Sequence, residues 1–168
     1  MALGLASVVT LGLVACGDGD GPLVGPGGGP GGEGRHGEVV EGDGYEGVLL
    51  DAHLDWLQRA DGTLVRDVTS FVPTAEDVAR FEAALPSAAG GADLSDHVRQ
   101  YTGVAARSGD DRHLVVAGIC RRETLPGEPL DDWREGWLEV SDGGDCFFDA
   151  TMDLATGEIL RFAFHGQA

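Results

Sequence analysis

A thiol is among the strongest nucleophiles a side chain offers, and this chain carries three, Cys16, Cys120 and Cys146. To attack, a thiol must ionise, which needs a lowered pKa and a base within hydrogen-bond reach. Asp145-Cys146 with His165 is the pair to weigh for such chemistry, but Phe147-Phe148 reads as strand and nothing orients the imidazole. His36, His53, His97, His113 and His165 show neither HExxH nor any paired spacing, so zinc has no recognisable ligand set. Asp142, Asp145 and Asp149 are weak candidates for Ca²⁺, because an Asp-Gly-Gly-Asp turn explains the same residues. Gly25 to Gly32 lacks the preceding strand, the following helix and the Lys of a phosphate cradle. Trp133 and Trp137, if exposed together, mark a binding surface; Trp56 is the third indole. No catalytic residue, metal or cofactor is assigned.

Cys16 has a different context. Ala2 to Ala15 is an uncharged apolar run, too short to cross a bilayer, which needs roughly 20 residues. It fits the apolar region of a secretory signal, although no Arg or Lys precedes Arg35. Leu13-Val14-Ala15-Cys16 resembles the lipobox of bacterial lipoproteins. That resemblance implies cleavage before Cys16, diacylglyceryl transfer to its thiol, and a membrane contact made through the lipid. Each buried methylene contributes about 0.8 kcal/mol, so two or three acyl chains anchor stably. The alternatives are a buried apolar N-terminal helix and a plain secreted protein cut elsewhere.

Charge narrows the partners. Twenty-nine acidic residues against eleven basic ones, all Arg, give −18 over 168 residues. Nucleic-acid binding needs cations that replace condensed counterions, so the balance argues against it. It argues equally against electrostatic docking on an anionic membrane.

The elements that must position these residues begin late. Residues 17–47 hold 14 Gly, three Pro and a net charge of −6. Such composition buries too little apolar surface to offset chain entropy and reads as a disordered tether, spanning about 30 Å as a coil. The expected organisation is a signal peptide over 1–15, a lipidated Cys16 with its Gly/Pro/acidic tether over 16–47, and one α+β domain over 48–168.

Within that domain, Val48 to Leu57 is ambiguous between helix and strand. Asp61-Gly62 is a turn that joins it to a strand over Thr63–Ser70. Thr74 and Asp77 form a capping signal before Val78, Phe81 and Leu85 on one helical face, with Pro86 and Gly90-Gly91 as stops. A second short helix is expected from Asp93 to about His97. Strands follow over Arg99–Ala106, Arg112–Cys120, Trp137–Val140, Cys146–Leu154 and Ile159–Phe164. Arg112–Cys120 is apolar on both faces, as a central strand is. The expected fold is α+β: one main helix packed on an antiparallel sheet of about four to five strands.

The tail from Val140 through Asp142-Gly143-Gly144-Asp145-Cys146 to His165-Gly166-Gln167-Ala168, with Pro73–Phe81 and Arg99-Gln100-Tyr101, resembles a class of uncharacterised bacterial exported α+β domains of cystatin-like layout. That resemblance implies no known activity. Leu114 to Gly118 resembles the first-loop motif of cystatin protease inhibitors, with Leu in place of its Gln. Asp145-Cys146 resembles the nucleophile motif of cell-wall cysteine peptidases, without the Ser-Gly that follows there.

With Cys16 acylated, Cys120 and Cys146 remain as an even pair in an oxidising compartment, which favours a disulfide. A plain meander would set them at opposite ends of the sheet, so the bond requires Trp137–Val140 to be short or peripheral. The leading expectation is a non-enzymatic, lipid-anchored extracytoplasmic protein whose domain binds a ligand or serves the envelope structurally. Its rivals are a cystatin-like inhibitor, which needs residues 114–118 at an exposed hairpin tip, and a hydrolase, which needs a reactive Cys146 in a cleft with His165.

Overall fold

In a computed structural model the chain is described over residues 34–58, 62–107, 111–140 and 142–166. The sheet begins earlier than expected. β1 (Glu38–Gly42) and β2 (Tyr45–Leu49) form an antiparallel hairpin across Asp43-Gly44, where Gly44 takes φ 78°. Asp-Gly between extended segments is a strong hairpin signal, here set in a glycine-rich tract. The tether boundary at residue 47 is therefore corrected: residues 38–47 are strands and their turn. Val40 and Val48 are buried, and a Cβ on Gly47 would lie 2.3 Å from the Tyr101 ring. Contact with the rest of the sheet supplies the burial that this tract's own composition lacks. Cys16, the signal segment and the upstream part of the tether lie outside the described residues.

β3 (Trp56–Gln58) and β4 (Leu64–Arg66) pair as a separate two-stranded ribbon. The single strand expected over Thr63–Ser70 breaks at Asp67, whose φ of 66° turns the chain. β5 (Val68–Phe71) then joins the main sheet. α1 (Ala75–Ala88) starts at the expected capping box, Thr74 Oγ1 accepting from Asp77 N and Thr74 N donating to the Asp77 carboxylate. It runs two residues past Pro86, and Ala89 N–H still reaches Leu85 O. A proline costs a helix its i−4 bond, and in the last turn only one such bond is lost.

β6 (His97–Ala106), β7 (Arg112–Cys120), β8 (Phe147–Asp153) and β9 (Ile159–Phe164) complete a seven-stranded sheet ordered β1-β2-β6-β7-β8-β9. β2 and β5 share one edge of β6: β2 runs parallel along Val98–Tyr101, and β5 antiparallel along Gly103–Ala106. The fold is α+β as expected, with a larger sheet than four or five strands and one parallel pairing. The short helix at 93–97 does not form. The Asp93 carboxylate accepts Ser95 N in a turn, and His97 opens β6.

Trp137–Val140 is not a strand either. β7 therefore pairs directly with β8, Ile119 opposite Phe147, and the next residues outward are Cys120 and Cys146. They are disulfide-bonded, with Cα atoms 4.9 Å apart.

Strand alternation divides the core into two layers. One face packs Tyr101, Leu114, Val116, Phe148 and Met152 against Val78, Phe81 and Leu85 of α1. Gly118 admits the Phe148 ring, since a Cβ there would come within 1.9 Å of it. The opposite face carries two smaller clusters: Val48, Leu50, Val98, Ile119 and Trp133 at one end, and Leu57, Val68 and Val104 at the other.

Candidate functional site

The second face of the sheet is covered twice, by the segment 121–140 and by the β3–β4 ribbon, and a cleft opens between the two covers. Each wall is pinned by groups that the strands bury.

Gln100 is wholly buried on β6. Its Nε2 donates to Gly136 O at 2.7 Å and to Trp133 O, while its Oε1 accepts Leu138 N at 2.9 Å. One amide thereby satisfies both its donors and fastens three backbone groups of the covering segment. A buried amide without such partners would cost free energy, so the loop conformation and the burial of Gln100 require each other. Arg121 at 2.6 Å and Arg134 both pair with Glu46 on β2, and the Arg121 hydrogen bond is the largest cause of the lowered Glu46 pKa. The Arg134 guanidinium also lies over the Trp133 ring, 4.7 Å from its centroid.

Trp133 is only 2% exposed and belongs to the core. The expectation of an exposed Trp133/Trp137 pair is corrected: the indole at 133 fills the space between segment 121–140 and the sheet, and Trp137 is half-buried at the cleft. The indole that faces Trp137's side of the cleft is Trp56, which is 40% exposed. Neither periodicity nor spacing links Trp56 with Trp137.

On the ribbon side, Leu57 packs with Val68 and Val104. The connection from β2 is held by Leu50 N to Tyr101 O at 2.8 Å, by Ala52 N to Thr102 Oγ1 at 3.3 Å, and by Ser70 Oγ donating to Leu54 O at 3.4 Å. Leu54, Trp56 and Leu57 form this wall; Trp137, Leu138, Glu139 and Val140 form the other. The floor is Val115, Asp149, Thr151 and Arg161, the side chains of β7, β8 and β9 that point away from α1. The recess measures about 230 Å³. Outward it meets a more open groove of about 580 Å³, bordered by His36, Asp51, His53, Asp55, Glu135 and Glu139. Recess and groove share Leu54, Trp56, Trp137 and Glu139. An apolar concavity with a few placed polar groups is the usual form of a small-molecule site.

The remaining sites foreseen from sequence are dispersed. Cys146 is buried and bonded to Cys120, so it carries no thiolate. His165 Nε2 instead lies 3.0 Å from Asp149 Oδ2. That aspartate also faces Arg161 at 3.9 Å. Asp142 and Asp145 are exposed at the turn before β8, and among the described residues no three His, Cys, Asp or Glu side chains gather as metal ligands. Residues 114–118 lie in the middle of β7, paired on both sides, with Leu114 and Val116 wholly buried. They form no hairpin tip. No protein family, curated protein or solved structure matches the chain.

Proposed function

We propose that this protein is a lipid-anchored extracytoplasmic binding domain, held to a bacterial membrane by acylated Cys16, and that its ligand enters the cleft between segment 121–140 and the β3–β4 ribbon. The observation that carries the reading is the cleft itself, with indoles on opposing walls and charged groups on the floor and rim. The Cys120–Cys146 bond is compatible with an oxidising compartment. No helix among the described residues is long and apolar enough to cross a membrane.

Two measurements test it. Intact mass of the membrane-extracted protein reports cleavage before Cys16 and the acyl mass; a product that keeps residues 1–15 overturns the anchor. For the cleft, amide chemical shifts of the soluble domain are followed while pooled cationic, anionic and neutral small molecules are added. Shifts at Trp56, Trp137 and Thr151 are expected for at least one pool. A set that leaves all three unmoved overturns the binding reading.

A further inference from the structure

The rim of the cleft is richer in negative charge than its floor. On the floor Arg161 lies 3.9 Å from Asp149, so these two charges offset each other. In the outer groove Asp51 has a neighbour in His53, at 3.4 Å. His36 Nδ1 accepts Asp51 N at 3.0 Å. Asp55, Glu135 and Glu139 border the same groove and make no ion pair among the described residues. Carboxylates thus surround a mouth walled by Trp56 and Trp137, whose indole faces attract cations more strongly than any other aromatic.

We propose that the ligand of this cleft is a small organic cation of the quaternary ammonium class, its charged head at the indole and carboxylate mouth and its apolar part in the recess. This rests on the binding reading above. The recess and groove have the size of a small-molecule site. The chain's own N-terminal segment is a poor occupant: residues 1–33 hold Asp18, Asp20 and Glu33 and no Arg or Lys, so the rim repels it. An anionic ligand meets the same repulsion. A quaternary ammonium fits where a metal ion does not, because it needs a diffuse negative field and aromatic faces rather than converging ligand atoms.

The probe is choline, compared with 3,3-dimethylbutan-1-ol, which has nearly the same shape without the charge. Both are titrated against the disulfide-intact domain, following tryptophan emission and the Trp56 and Trp137 indole N–H resonances. Choline is expected to bind about tenfold tighter than the neutral isostere. The triple variant Asp55→Asn, Glu135→Gln, Glu139→Gln changes only exposed side chains; it should bring the affinity for choline down to that for the isostere, and a preference that survives it overturns the cation assignment. Trp56→Ala should weaken both, and Trp56→Phe should restore part of the choline affinity. Equal affinities overturn the cation assignment and leave a binding cleft standing. Failure of choline to bind at all also overturns it; the cleft reading falls with it only if the pooled molecules leave the cleft unmoved as well.

Discussion

Removing the Cys120–Cys146 bond is the perturbation whose size follows most directly from the chain. The bond joins residues 26 apart. In the chain-entropy treatment, closing a loop of that length removes roughly 12 cal/mol/K from the unfolded ensemble, about 3.5 kcal/mol at 25 °C. Small domains have about 5–15 kcal/mol in all, so the effect is a substantial part of the total. The closed loop carries Trp133 and Trp137, and hence one whole wall of the cleft. Urea unfolding of the domain, followed by tryptophan emission with and without reductant, measures it. With a slope of about 2 kcal/mol/M, the midpoint should fall by about 1.7 M on reduction. Cys120→Ala with Cys146→Ala should fall at least as far, since the buried Cys146 sulfur also loses its packing. A shift below about 0.5 M in both experiments would refute the reasoning, because it would mean that the link does not restrict the unfolded chain.

Other consequences are smaller or more local. Gly118→Ala should cost about 1–3 kcal/mol, read as a lower urea midpoint, because its methyl would sit 1.9 Å from the Phe148 ring in a filled core. Gln100→Leu should cost about 2–4 kcal/mol by leaving Gly136 O, Trp133 O and Leu138 N without their partner; faster amide exchange over 133–138 checks that the loss is in the loop. Glu82, on α1, lies 3.0 Å from Arg99 Nε of β6 and accepts a hydrogen bond from the Tyr101 hydroxyl. Burial pushes its carboxyl above the usual 4.5, against the opposing pull of Arg99 and of that hydrogen bond. A folded pKa above the unfolded one means that the native state holds the extra proton, so this stabilising contribution is full below about pH 4.5 and is lost as pH rises through the raised value. Midpoints measured upward from pH 4 should carry that falling component, and Glu82→Gln should remove it from the slope while lowering stability at every pH.

What was legible in the sequence was what neighbouring residues determine. α1 announces itself through Thr74, Asp77 and the 78/81/85 face, all within three turns. β7 and β9 have the expected bounds because apolar runs ended by turn residues leave little choice. The β1–β2 hairpin was hidden by composition. Its glycines read as a spacer, yet Gly47 is there so that the Tyr101 ring can lie against the backbone, a contact between positions far apart in the chain. Trp137–Val140 misled in the opposite direction. Its apolar residues suit a strand, but Gln100 takes Leu138 N, and the sheet position that a strand would have occupied goes to β8. That single displacement brings Cys120 beside Cys146, where a strand over 137–140 between β7 and β8 would have held them apart.

The cleft was beyond sequence reasoning for a related cause. Its floor takes Val115 from β7, Asp149 and Thr151 from β8 and Arg161 from β9, its walls come from two covers that do not touch in sequence, and its indoles belong to different covers. Trp133 and Trp137 are close in the chain and invite pairing, but burial separates them: one fills the core and the other turns to the cleft. Trp56 replaces Trp133 as the partner because the β3–β4 ribbon folds back over Val68 and Val104. A substitution that loosens the ribbon without touching the cleft should therefore still weaken ligand binding. Val68→Ala removes two buried methyl groups from under Leu57, and its expected cost of about 1–2 kcal/mol falls on the ribbon's attachment to the sheet. If affinity for a cleft ligand stays unchanged in that variant while stability drops, the Trp56 wall is held by something other than its hydrophobic footing.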